Sequence, residues 1–561
     1  MERLISFISL LLSLVILPVY AAAGKTDGEL MALSPEDLPF AGNEISMFRY
    51  GAFGTGLYPY RTAAPGAAFE VRVDGVPLAP SSPFGYDLEC IPSLIADSIS
   101  VSENAVIAVA TRDSLPDRPL TRMDFLSGEN RRFRFQGVFE RRISALGGIR
   151  AFGMSDGIRG GETTEGNGYR LYGMVWSRTL QKNGAVRVTL KGSRKRNDLF
   201  DCDAGRRMGE RVTDERFASA GLFDWRIGKS INLTSTAYMR NGLARFRRYG
   251  TGRSFSDDSF GGAANLVIGE SGSCNVFNVF HDTRVLDERN GVISWRNGIT
   301  SVHGKREQTI GSFSFDLGGG LSYSSRYGTG YRADGEARYP LINRWNAILG
   351  GSVSREFPGP QHELLPSLTF SDSVQETRLH RFRIVEMKTG LRNNRGPIEF
   401  GCYGFVGRAE VPVLLPRAGI MRMSNRAQYA GWSFALSAYG GKRIRYQSEM
   451  KIDFTGGPGA NRMWPRPVTE MLARGNLSRL FFSDALQCSL QGKAHVMRWT
   501  DGPSSPDGTL VLLDAGISAH VRTLLFTYTI ENIANSDMKF FDAFGWRGRN
   551  AYWGIRWSLR N

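Results

Sequence analysis

What the chain lacks narrows the field first. Beyond the N-terminal two dozen positions no stretch approaches the ~18 consecutive apolar residues of a membrane-spanning helix, which excludes a helical membrane protein. Cysteine is sparse. Cys90, Cys202, Cys274, Cys402 and Cys488 are odd in number and widely scattered, so they form neither a disulfide framework nor a C-x-x-C metal pattern. The 6 histidines are equally dispersed, and their spacing implies no metal cluster and no cofactor. A lysine-rich tail is also missing, although the formal net charge is +16.

What is present points to one large closed architecture. At 561 residues the chain far exceeds the size at which a single soluble core stops growing. Sixty-six glycines and 11% aromatic residues accompany a hydrophobic fraction of only 42% and a mean hydropathy of -0.25. A β-barrel, whose strands turn only alternate residues to lipid, has this profile. Tyr331–Tyr339 shows the rule: Tyr331, Ala333, Gly335, Ala337 and Tyr339 share one face, and Arg332, Asp334, Glu336 and Arg338 the other. Basic residues facing lipid near mid-bilayer would cost about 2–4 kcal/mol each, so these four charges are expected to face the lumen. There they would meet either a plug or a water-filled pore.

The same alternation recurs on the order of 20–22 times from Leu120 to Asn561, within the range of bacterial barrels. Val186, Val188 and Leu190 alternate with Arg187, Thr189 and Lys191; Leu513, Ala515, Ile517, Ala519 and Val521 alternate with Asp514, Gly516, Ser518, His520 and Arg522. Short Gly/Asn turns are expected on one side. Longer polar connections are expected on the other, near Lys195–Glu215, Asn241–Asp258, Pro358–Glu376, Gly456–Val468 and Ser536–Asn550. The expected fold is therefore all-β dominated: an antiparallel transmembrane barrel of about 22 strands, with a small N-terminal mixed α/β domain.

Arg3, the apolar run Leu4 to Val19 and the small residues Ala21-Ala22-Ala23 predict a secretory signal peptide over residues 1–23. Export in turn argues against nucleic acid as the partner of this basic chain. Contact with lipopolysaccharide phosphates, a lumen that attracts anions, and a solvated surface excess all remain open readings of the charge. Residues 24–119 have a different texture, with short apolar runs broken by Gly and Pro around Phe69–Leu78, where a strand enters an Asp-Gly turn.

Val73-Asp74-Gly75-Val76-Pro77-Leu78 resembles the "vDGvPl" of the plug domain of TonB-dependent receptors. Ile91-Pro92, Ile99-Ser100-Val101 and Asn104–Thr111 resemble the "iP…IervEV" and "GGvInivT" strands that follow it. Leu120–Phe125, Gly128 and Arg132–Phe139 look like the family's first barrel strands, and Ser155-Asp156-Gly157 like its "sDGyr" loop. Thr529–Ile533 resembles "tveNlf", and Gly548-Arg549 the "pGR" before the last strand. In that last strand, Tyr552, Gly554, Trp557 and Leu559 resemble the C-terminal signal read by the barrel assembly machinery.

The resemblance implies a shortened plug over 24–119 and a transmembrane barrel over 120–561 in the cell outer membrane. It implies a monomeric, non-enzymatic transporter for a ligand of siderophore, cobalamin or glycan class. Outer-membrane lipid, lipopolysaccharide, the assembly machinery and the TonB complex are the partners it implies. The family's "GPssalyG" segment is missing between Val101 and Asn104, and the nearest approach to a TonB box is Glu29-Leu30-Met31-Ala32-Leu33. The alternative is a passive channel or structural barrel not coupled to TonB. The ligand-binding residues are not readable.

Enzymatic constellations are weak. Gly153-Met154-Ser155-Asp156-Gly157 matches G-x-S-x-G but lacks a strand-to-helix context. Ser518 and His520 share an inward face without a third partner, which polar residues lining a wet lumen also explain. Asp201-Cys202-Asp203 and Ser256-Asp257-Asp258 place paired acids in expected loops, where a cation could be held only with further oxygen ligands.

Overall fold

The computed structural model describes residues 45–50, 56–61, 70–77, most of 88–101, 106–111 and, with interruptions, 115–560; the longest interruptions are 159–167, 358–381, 458–467 and 500–507. The expected signal peptide, the Glu29–Leu33 stretch and Leu78 lie outside the described residues.

Twenty-two antiparallel strands, from Leu120–Gly128 to Asn550–Arg560, form a closed barrel. Each strand pairs with its neighbours in sequence, passing over two small side hairpins. The last strand pairs with the first, Tyr552 opposite Gly128 and Arg560 opposite Leu120, so no row of backbone donors and acceptors is left open to lipid. Large apolar side chains project outward, among them Phe135, Met239, Leu321, Leu349, Ile517 and Trp553. Tyr331 and Tyr339 are exposed on the outer face, while Glu336 on the same strand is buried on the other.

Short connections lie at one end of the barrel, as at Gly311-Ser312 between Ser294–Ile310 and Phe313–Ser324. Both Leu120 and Arg560 lie at this end. The wide sequence gaps after Glu356 and Glu410 lie at the other.

Two of the expected connections are strands. Gly184–Asp201 and Arg206–Ile227 run through Lys195–Glu215, and Ile231–Arg248 and Thr251–Glu270 run through Asn241–Asp258. At about 3.3 Å per residue, the 22-residue strand Arg206–Ile227 is about 70 Å long, whereas roughly 9–11 residues cross a bilayer. The wall therefore continues past the membrane at the loop end. In the last connection, Ser536–Asn550, a small hairpin pairs Met538–Phe540 with Phe544–Trp546.

Inside the barrel lies a four-stranded sheet in the order Val76–Pro77, Glu70–Val73, Val106–Thr111, Ala96–Val101. Its central pair, Glu70–Val73 with Val106–Thr111, is parallel. Asp74 and Gly75 turn the first hairpin with φ of 50° and 79°, the left-handed pair a type I′ turn demands and the reason Asp-Gly stands there. Val71, Ile107 and Val109 are buried.

Candidate functional site

The inner sheet meets the wall at two places. Leu94 and Ile95 pack among Val138, Phe152, Met154, Leu171 and Val175, the inward side chains of three consecutive strands. Beside them Gln136 accepts weak hydrogen bonds from Ser93 Oγ at 3.4 Å and the Leu94 amide at 3.5 Å.

The second contact is the Asp74-Gly75 turn. Asp74 accepts hydrogen bonds from the amide and hydroxyl of Thr111, both at 2.8 Å, which ties the turn across its own sheet. On the wall side Arg187 Nη1 lies 3.0 Å from Asp74 Oδ1. Next to it, a Cβ on Gly75 would stand 3.0 Å from Thr236 Oγ1, so glycine serves the close approach as well as the positive φ. Arg240 Nη1 donates to the Pro77 carbonyl at 3.2 Å, and the Arg72 guanidinium sits 4.8 Å from the Phe280 ring centre. Thus Val73–Pro77 reaches the inner wall through its turn and Pro77 carbonyl.

Behind this contact is a buried charge centre. Asp257 takes two hydrogen bonds of 2.6 Å from Arg284 and has Arg216 Nη1 at 3.0 Å. Such fork-to-carboxylate pairing is the strong form of ion pair. The acid expected in a solvated loop is instead 1% exposed on an inward strand face; Asp258, on the opposite face, accepts from Asn241 at 3.1 Å. Cys202 and Asp203 lie outside the described residues.

Arg332, Asp334, Glu336 and Arg338 form a ladder along the wall. Arg332 Nε donates to Asp334 at 3.1 Å, and Arg338 donates to Glu336 at 2.6 Å and to Asp316 at 3.0 Å. Lys388 Nζ is 2.7 Å from Glu336, and His303 Nε2 is 3.9 Å from Asp334. All these partners belong to the wall. The same holds for Glu140 between Arg150 and Arg122, for Glu449 with Arg474, and for His495 with Glu470. Low-dielectric surroundings make each pair costly to break, at about 3–5 kcal/mol when one partner alone is removed.

In the last strand, Tyr552 donates to Glu531 at 2.7 Å and lies under Arg132 at 5.3 Å. Gly554 stands against Thr527 and the Phe125 carbonyl, Trp557 is exposed on the outer face, and Leu559 is partly buried. Gly153–Gly157 lies within the continuous strand Gly147–Ile158, so its serine makes no strand-to-helix elbow. Among the described residues no hydrogen bond joins Ser518 to His520, and no group of three or more His, Cys, Asp and Glu side chains could hold a metal.

Sequence reading missed Arg240, Arg284 and Gln136. The signal was there in part: each alternates with outward residues, Met239, Phe277 and Phe135 among them. Their partners, however, lie on strands whose register no local pattern specifies.

A closed barrel of 22 strands around a small mixed sheet, tied to the wall through a D-G-V-P turn, is the architecture of the TonB-dependent receptors of the outer membrane. Three solved structures that share it are transporters or receptors. The FrpB iron transporter from Neisseria meningitidis superimposes with a TM-score of 0.71 at 9% identity, over 93% of this chain and 96% of its own. The copper transporter OprC gives 0.72 at 11%, over 92% and 94%. The siderophore receptor PirA from Pseudomonas aeruginosa gives 0.65 at 12%, over 92% and 99%. At such identities the likeness is one of fold. No protein-family model and no curated protein matches the sequence.

Proposed function

We propose that this outer-membrane barrel imports a scarce ligand of the siderophore class, with residues 24–119 as its plug and the inner-membrane TonB complex as its source of energy. The observation that carries this reading is the division of contacts. The wall is held by ion pairs of its own, whereas the described plug residues are joined to it by one ion pair, a few hydrogen bonds and one apolar patch. A pull on the plug would therefore shift it before it disturbed the wall. Iron, siderophore and copper are what the structural neighbours' names record, and they favour a siderophore over cobalamin or a glycan. The final strand, closing on Leu120–Gly128, is the piece the barrel assembly machinery would read.

The test is uptake of a ferric siderophore panel by cells in which this chain is the sole receptor, alongside planar-bilayer conductance of the purified protein. Uptake is expected to stop when TonB is deleted, and conductance to stay low. Steady conductance, with uptake indifferent to TonB, would overturn the proposal in favour of a passive channel.

A further inference from the structure

The outer face carries a feature that transport does not use. At the loop end, three adjacent strands present Arg355, Arg383 and Arg408 outward, on the same face as the exposed Leu349, Met387 and Val406. Arg355 is paired directly opposite Arg383, and Arg408 opposite Val385. Like charges set opposite one another destabilise a sheet, and among the described residues none of the three arginines makes an ion pair. Glu410, opposite Arg383, supplies a single carboxylate against three guanidiniums.

Arg383, Arg408 and Gln428 line a recess of ≈ 710 Å³ whose floor continues into Val385, Met387 and Val406. Outward arginine is expensive at mid-bilayer and nearly free at the interface, so this row marks the headgroup level, with the apolar residues below it at acyl depth.

We infer that this recess binds the phosphorylated glycolipid of the outer leaflet, lipid A, with its phosphates on the arginine row and an acyl chain along Val385, Met387 and Val406. Two features favour this occupant over a single-phosphate lipid. The row crosses three strands spaced about 4.8 Å apart, a spread that suits two phosphates on one headgroup. It also lies at the end opposite both chain termini, where outer-membrane barrels carry their long outward loops. Planar guanidinium forks are matched to phosphate oxygens.

The experiment is native mass spectrometry of the full-length protein in detergent, titrated with bis-phosphorylated lipid A, dephosphorylated lipid A and phosphatidylglycerol. The expected result is preferential binding of the bis-phosphorylated form. It should weaken by about tenfold or more in Arg355→Gln/Arg383→Gln/Arg408→Gln, given roughly 0.5–1 kcal/mol per exposed charge contact. Arg141→Gln, an outward arginine at the opposite end, should leave it unchanged. Equal binding by the wild type and the triple variant, or equal binding of the dephosphorylated lipid or of phosphatidylglycerol, would overturn the assignment. These side chains are exposed, and heat-modifiable migration on gels confirms that each variant is folded. If the triple variant fails to assemble, Arg383→Gln and Arg408→Gln singly carry the same test at about threefold each.

Discussion

Asp257 is the residue on which the inner wall's charge balance turns. Arg284 grips it with two hydrogen bonds, Arg216 approaches from the other side, and Arg240 adds a third positive charge nearby. Removing the acid leaves guanidiniums buried with no counter-charge. Asp257→Ala should therefore cost about 3–5 kcal/mol, read as a drop in the temperature at which the barrel loses its compact migration on gels. Replacing both sides of the pair, as in Asp257→Leu with Arg284→Met, should be milder than the single change, because no uncompensated charge then remains. A double variant as damaging as the single one would show that the carboxylate has another role. Asp74 is a comparable case at the plug, where one carboxylate serves both the sheet, through Thr111, and the wall, through Arg187. The sequence disclosed the turn at Asp74 because Asp-Gly is a local signal. It did not disclose the role of Asp257, because an acid beside another acid reads as solvated until its cross-strand partners are known.

At the scale of strands, a repeated device governs how the inner face is filled. Tyr238 lies opposite Gly261, which lies opposite Asp282, and the tyrosine hydroxyl reaches over the glycine to donate to that acid at 2.7 Å. Tyr429, Gly407 and Glu386 repeat the arrangement on another part of the wall, with a hydrogen bond of 3.0 Å. In the first set a Cβ on the glycine would stand 2.6 Å from the tyrosine oxygen. Gly261→Val should thus displace Tyr238 from Asp282 and lower stability by about 1–3 kcal/mol, with reduced yield of assembled barrel. Gly221→Val, with open space around its Cβ position, should be tolerated. Alternation made most strands legible, as at Tyr331–Tyr339, because lipid on one side and water on the other impose opposite chemistries on neighbouring residues. The same logic explains why Lys195–Glu215 and Asn241–Asp258 read as loops. Where the wall stands clear of the membrane both faces are wet, so the period of two disappears although the backbone ladder continues.

The molecule as a whole is two structures with separate sources of stability. The barrel closes on itself through Tyr552–Arg560 against Leu120–Gly128, and its inner charges are satisfied strand to strand at Glu140, Asp257, Glu336, Glu449 and Glu470. None of those pairs draws on the inner sheet. That sheet, by contrast, is small and relies on the wall for part of its burial, with Leu94 and Ile95 covered by wall side chains. A chain lacking residues 24–119 should therefore still assemble into a heat-modifiable barrel. It should lose modest stability from the uncovered Val138, Phe152 and Leu171 patch, at roughly 25 cal/mol per Å² of apolar surface, and from an unpaired Arg187. Planar-bilayer recording is the decisive measurement, since the truncated barrel should conduct steadily where the intact protein conducts little. A truncated chain that cannot assemble would mean that the wall needs the inner sheet as a scaffold, and that the two do not part under load in the way import by this route requires.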